Sequence, residues 1–269
     1  MSKPADNAPA GKVWLVGAGP GAIDLLTVRA VRILASADIV FHDALIDVEV
    51  LALAPQAEHI AVGKRCGRHS TAQRFINQKL TNAARTHRVV VRLKGGDPML
   101  FGRAQEEMDA LTAAGIEFEV VPGITAASAA SAQLRVSLTR RGLSRSVALL
   151  TPRAGESEKP SQALRANADA STLVLYMASQ DATKIAQDLI SYGRNRNTPV
   201  AIIENASRPA SREALATLAE LAETSAGTLL GTLDPPDGPV LLLIGDVFGD
   251  ELERRRQLGL IAAPHVDAA

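Results

Sequence analysis

Arg92-Leu93-Lys94-Gly95-Gly96-Asp97-Pro98-Met99-Leu100-Phe101-Gly102-Arg103 is the stretch on which the fold class turns, because a β-branched run enters it and a helical run leaves it. Arg88–Leu93 reads as a strand, and the following helix, with Met108 and Leu111 on its apolar side, is closed by Gly115. A strand running into a Gly-Gly-Asp-Pro loop and an arginine-bearing helix start has the layout of a ligand loop. In parallel α/β sheets such loops leave the carboxyl ends of the strands and open onto the ligand crevice. Consecutive glycines let a flat group lie against the backbone, and Pro98 fixes the turn. Asp97 has two readings: it accepts hydrogen bonds from a ligand's hydroxyls or cation, or it N-caps the helix that follows.

Outward from this stretch, strand-like runs recur at Lys12–Val16, Asp38–His42, His59–Val62 and Ile116–Val121, with helical spacing between most of them. That alternation predicts a parallel sheet covered by helices. Ser70-Thr71-Ala72-Gln73 reads as a capping box opening a helix with Phe75, Ile76, Leu80 and Ala83. After Pro122-Gly123 comes a small-residue helix, Thr125–Ala132, taken as the domain junction. A second set of runs at Ser146–Thr151, Thr172–Met177, Val200–Glu204 and Val240–Gly245 surrounds an amphipathic helix, Ala182–Tyr192, closed by Gly193. The expectation is an α/β protein of two domains, 12–124 and 125–248. A disordered start (1–11), a mobile loop (Pro152–Ala168), a Pro-rich connection (Leu229–Pro239) and a frayed tail (249–269) complete it.

With 269 residues, 46% of them hydrophobic, the chain can fill such cores. Twenty-nine basic and 29 acidic side chains cancel, which leaves no field to attract nucleic acid or an anionic membrane. A single cysteine, Cys66, excludes an internal disulfide and a thiolate metal cluster, and His42, His59 and His87 lack metal-ligand spacing, so no metal is expected. Residues 1–10 lack an apolar signal core, and no run approaches the roughly 20 apolar residues of a membrane span. A cytoplasmic protein is expected.

Gly17-x-Gly19-x-x-Ala22, after a strand, fits a dinucleotide fingerprint, and Asp43 lies near the ~20-residue spacing of a ribose-binding acid. Pro20 argues otherwise, because it removes a backbone N–H that a pyrophosphate would use. A ligand without phosphate fits better, and two loops then serve one site.

In ordered blocks, the chain resembles the tetrapyrrole methylase family. The blocks are Val16-Gly17-Ala18-Gly19-Pro20-Gly21, Asp24-Leu25-Leu26-Thr27, Asp43-Ala44-Leu45, Gly63–Ser70, Arg92–Arg103 with Glu106-Glu107, Val121–Ala127, Ser137–Arg141, Tyr176-Met177 and Gly193-Arg194. Departures are Ala22 in place of an acidic residue, Met99-Leu100 after Asp-Pro, Ala104-Gln105 after the loop arginine, and Thr151-Pro152-Arg153 in place of a Thr-Gly-His-like turn. The resemblance implies two α/β domains with the active site in the cleft between them, a homodimer, and S-adenosylmethionine as cofactor. For that cofactor it implies contacts from Pro20, Gly95, Gly96, Asp97, Thr125, Ala126, Met177 and Ala206. It further implies two successive C-methylations of uroporphyrinogen III to precorrin-2, with S-adenosylhomocysteine as co-product.

Such a reaction needs positioning, desolvation and an exit for a proton, with no metal or covalent nucleophile. A substrate with many carboxylates favours arginines, so Arg103 and Arg141 are assigned to substrate contact, with Lys64 and Arg65, beside His69, in reserve. Glu106, three residues after Arg103, can orient its guanidinium, and Asp43 either handles the proton or caps a turn. Two enzyme alternatives are a sister methylase acting on a later corrin intermediate and a nicotinamide-dependent oxidoreductase. A third is a chain that binds cofactor and partner proteins without catalysis.

Overall fold

A computed structural model of the chain describes residues 11–62, 73–152, 160–232 and 235–261. It divides into two compact units, Met1–Thr125 and Ala126–Ala269.

The first unit runs β1 (Lys12–Gly17), α1 (Val28–Ala35), β2 (Ile39–His42), α2 (Val48–Leu51), β3 (Glu58–Ala61), α3 (Gln73–Ala83), β4 (Val89–Lys94), α4 (Ala104–Ala113) and β5 (Phe118–Val121). Its described strands form one parallel sheet in the order β3-β2-β4-β1-β5. Strand alternation sorts the core onto two faces. Val13, Leu15, Phe41 and Val90 pack with Ile76 and Leu80 of α3 and Leu111 of α4, while Val16, Val40, Val91 and Leu93 pack with Ile33 and Leu34 of α1. Val90, Arg92 and Lys94 share one parity, which turns two cations toward the helices α3 and α4 from the middle of a buried strand. Thr27 caps α1 by accepting from the Ala30 amide at 3.1 Å, and Gly115, at φ +67°, ends α4 as its position suggests.

The second unit runs α5 (Ala126–Leu134), β6 (Val147–Leu150), α6 (Pro160–Ala166), β7 (Thr172–Tyr176), α7 (Ala182–Ser191), β8 (Pro199–Glu204), β9 (Arg212–Thr217), α8 (Leu218–Glu223), α9 (Ala226–Leu230), β10 (Val240–Gly245) and α10 (Gly249–Gln257). Its sheet, ordered β6-β7-β10-β8-β9, is mixed: β6 and β7 are parallel, and the remaining pairs are antiparallel. Ala182, Ile185, Ala186 and Leu189 form the buried stripe of α7, and Gly193 follows it at φ +97°.

Two expectations change, and a strand appears where the sequence pattern marked none. Arg212–Thr217, rich in helix formers, is a strand, because Ala214, Leu215 and Ala216 are buried against β8 and pair with it residue for residue. Gly249–Gln257 of the expected tail is not frayed: it forms α10, which buries Leu252 and sends Arg255 to Glu213 on β9 and Arg256 to Glu220 on α8, while residues 262–269 lie outside the described residues. The segment read as a mobile loop contains α6, whose Leu164 enters the core. The Ser70 end of the capping box, the block Gly63–Ser70 and, within it, the reserve residues Lys64 and Arg65 lie outside the described residues.

Candidate active site

At the carboxyl edge of the first sheet, the loops after β1, β4 and β5 are locked together through main chain. Gly19 and Gly96 form an antiparallel bridge, with Gly96 N donating to Gly19 O at 2.7 Å and Gly19 N to Gly96 O at 3.2 Å. Ala18 N donates to Lys94 O at 2.7 Å. A β-carbon on Gly17 would stand 2.6 Å from the Gly123 Cα and 2.8 Å from the Gly96 carbonyl, so only glycine permits that approach. Asp97 closes the junction. Its Oδ1 accepts from Met99 N at 2.8 Å and its Oδ2 from Gly123 N at 2.9 Å.

The N-cap reading of Asp97 is therefore corrected: Arg103 occupies the N-cap of α4, and Asp97 instead ties its own turn to the loop after β5. Each carboxylate oxygen keeps a second lone pair for a ligand. The dinucleotide reading loses its donors, because the amides of Ala18 and Gly19 are spent on the β4 loop and Pro20 has none. The segment that follows is a short 3-10 turn, Ile23–Leu25, rather than the start of an α-helix. Gly95 and Gly96 face open space: a β-carbon at either meets nothing within 4 Å.

Beneath this junction lies a group of charges that pattern reading passed over. Glu107 of α4 is fully buried and contacts Arg92 and Lys94, each 3% exposed. Asp43, immediately after β2, pairs with Arg92 Nη2 at 2.5 Å and keeps a third of its side chain exposed. Burial alone would make Arg92 easier to deprotonate, but Asp43 and Glu107 outweigh it and hold the guanidinium's proton more tightly than usual. Burial, reinforced by the charge of Arg92, pushes the Lys94 ammonium below its ordinary range. The signal was present in the sequence. Ala104, Glu107 and Leu111 fall on one helical stripe, so Glu107 occupies a core position facing a strand with cations two residues apart.

Arg103 and Glu106 meet as a fork, Nε to Oε1 at 2.7 Å and Nη2 to Oε2 at 2.8 Å, both half exposed. The Glu106 hydrogen bond strengthens Arg103's hold on its proton. Arg103 and Phe101 hold left-handed backbone, φ +54° and +53°, as functional loops often do. In the second unit, Met177 (φ +56°) follows β7, and Asn205 and Ser207 (φ +53° and +62°) follow β8 at the same end of that sheet. Ala126 and Ala206 share a core cluster with Tyr176, whose hydroxyl accepts from Ala127 N at 3.3 Å. Arg141 sits exposed in the turn closed by Arg140 and Ser144, which is tied through Ser144 and Leu138 to Thr172 at the start of β7, the end of that strand opposite Met177. Thus Pro20, Gly95, Gly96, Asp97 and Thr125 gather at one edge, while the second unit carries Ala126 at the start of α5 and Met177 and Ala206 in the loops after β7 and β8. His42, His59 and His87 make local contacts with the carbonyls of Asp43, Ala54 and Ala83.

The family model of Tetrapyrrole (Corrin/Porphyrin) Methylases matches residues 12–222. The chain belongs to the tetrapyrrole methylase family. Among similar solved structures is the uroporphyrin-III C-methyl transferase of Thermus thermophilus complexed with S-adenyl homocysteine, 40% identical with a TM-score of 0.76 over 89% of this methylase and 100% of that chain. A cobalt precorrin-4 methyltransferase is 27% identical, TM-score 0.74, over 88% and 95% of the two chains. The siroheme synthase of Psychrobacter sp. (strain PRwf-1) is 42% identical over 93% of this methylase and 51% of its own length. The methylase spans about half the length of the siroheme synthases it matches. Among the described residues, no helix is long and apolar enough to cross a membrane.

Proposed function

We propose that this methylase is an S-adenosylmethionine-dependent C-methyltransferase that converts uroporphyrinogen III to precorrin-2 by methylation at C2 and C7 through precorrin-1, as a homodimer. The reading is carried by the likeness to the Thermus thermophilus uroporphyrin-III C-methyl transferase, which extends over the whole of that chain. S-adenosylmethionine supplies an electrophilic sulfonium methyl and leaves as the neutral thioether S-adenosylhomocysteine. An electron-rich pyrrole carbon attacks that methyl in line; a C–C bond forms as the C–S bond breaks, and the ring then sheds a proton. Each transfer adds one methyl and removes one hydrogen.

The residues fit these demands. Gly95 and Gly96 present bare backbone to open space, and Asp97 keeps acceptor capacity for hydroxyls, which suits a nucleoside lying flat on the loop. Pro20 and Thr125 flank that surface, and Ala126, Met177 and Ala206 are the candidate contacts carried by the second unit. Asp43, anchored by Arg92 yet a third exposed, is assigned to accept the departing proton. Arg103, held ready by Glu106, and Arg141 are assigned to the substrate's carboxylates.

The test is anaerobic incubation with enzymatically generated uroporphyrinogen III and methyl-labelled S-adenosylmethionine. Two labels per macrocycle are expected. Cofactor binding without transfer would move the substrate to another tetrapyrrole, and absence of cofactor binding would overturn the reading.

A further inference from the structure

Arg92 and Lys94 leave β4 on the same face, and both reach Glu107, which has no exposed surface. Glu107 Oε1 accepts from Arg92 Nε at 3.0 Å, from Lys94 Nζ at 3.1 Å and from Gln73 Nε2 at 3.2 Å; Oε2 accepts from Lys94 Nζ at 3.1 Å. A carboxylate with those donors holds one orientation. The guanidinium it grips is fixed on its other sides too, with Nη1 donating to Leu93 O at 3.1 Å and Nη2 to Asp43 Oδ1 at 2.5 Å. Two cations and two anions cancel. Three of these groups are buried, and Asp43 is the member with a third of its side chain exposed.

We propose that Glu107 is a positioning residue for Asp43: acting through Arg92 and balanced by Lys94, it fixes where the Asp43 carboxylate points and how readily it takes a proton. This rests on the assignment of Asp43 to proton transfer in the reaction proposed above. Among the described residues, Asp43 pairs with Arg92 and lies within the field of Lys94, both from β4; Glu107 from α4 faces it through those two cations, and His42 Nδ1 lies 3.1 Å from the Asp43 carbonyl. Arg103, paired with Glu106 at the start of α4, also feels Glu107.

Charge balance gives the test its sign. Glu107→Gln removes a negative charge and leaves two cations facing one carboxylate, so Asp43 gives up its proton at lower pH. Lys94→Met removes a positive charge and does the reverse. The double variant returns the cluster to an Arg92–Asp43 pair. A displacement of roughly one pH unit each way is expected for a single charge at this range in partly buried surroundings.

Two readouts separate this proposal from the function it rests on. The first is the Asp43 carboxyl resonance, assigned with Asp43→Asn and titrated by 13C NMR on whole protein without substrate. The second is the acid limb of the kcat profile with uroporphyrinogen III. Opposite displacements in the single variants, restored in the double variant and with KM for S-adenosylmethionine unchanged, are expected. Folded variants whose midpoints stay put, or move in the same direction, would overturn the role of Glu107 even if wild type is active. Opposite displacements of the Asp43 resonance in the single variants, beside a wild type that transfers no methyl to uroporphyrinogen III, would overturn the substrate and leave the role of Glu107 standing. Should Glu107→Gln fail to fold, Lys94→Met and the double variant carry the same comparison.

Discussion

Gly95 and Gly96 are neighbours with opposite tolerances. Gly96 sits at φ +67°, where a side chain is strained, whereas Gly95 has no positive φ and nothing within 4 Å of a built β-carbon. Gly95→Ala is therefore expected to leave stability within about 0.5 kcal/mol of wild type while weakening S-adenosylmethionine binding at least tenfold, or about 1.4 kcal/mol. Thermal melts and calorimetric titration on the same preparation check it, and unchanged affinity would remove the cofactor from this loop. At this scale the sequence was legible wherever a residue's own chemistry spoke: the paired glycines, Pro20, and Arg103 with Glu106 three positions on. Glu107 was not singled out, because its meaning depends on cations supplied by another element. The left-handed backbone at Phe101, Arg103, Met177 and Ser207 leaves no mark in sequence, since these residue types have no preference for it; Asn205 is of a type that does favour it.

Elements whose apolar period was strong, such as α7 and β4, fell where the pattern put them. The pattern did not mark β9, which is held by residue-for-residue pairing with its neighbour β8, and α10, read as a frayed tail, is held by contacts to β9 and α8 rather than by local preference. In α10 the anchor is electrostatic. Hydrogen bonds first from Arg254 and then from Arg255 pull the Glu251 carboxyl from its ordinary 4.5 down to about 2, and Arg255 also grips Glu213 on β9 at 2.5 Å. A depressed carboxyl stabilises the fold above its unfolded value and loses that contribution as pH falls toward its folded value. The stability gap between wild type and Glu251→Gln is thus expected to be full at neutral pH and to close between about pH 4.5 and about pH 2. Denaturant titrations at stepped pH measure it. A gap that persists at pH 2 would mean that packing, and not charge, holds α10.

For the molecule as a whole, net charge is zero, so attraction of an anionic tetrapyrrole must come from local arginines rather than from a global field. Raising ionic strength from 0.05 M to 0.5 M is then expected to raise KM for uroporphyrinogen III several-fold, because Arg103 is exposed and screened, while KM for S-adenosylmethionine moves little. Initial rates at stepped salt decide this, and equal changes in both constants would point to a general effect on the fold. The two-unit α/β plan was legible at this scale because strand runs and glycine stops recur along the chain. The antiparallel members of the second sheet were not, since strand direction depends on where each connection lands and not on composition. For protein engineering, the glycine junction at the first sheet's edge divides the loop into positions that can be diversified and positions that cannot. Gly17 and Gly123 touch through main chain, and a β-carbon on either collides with backbone, so a library randomised there yields mostly misfolded clones. Gly95 and the exposed Met99 lie in the same loop outside that contact and offer the addresses at which selectivity for altered methyl donors can be evolved one residue at a time.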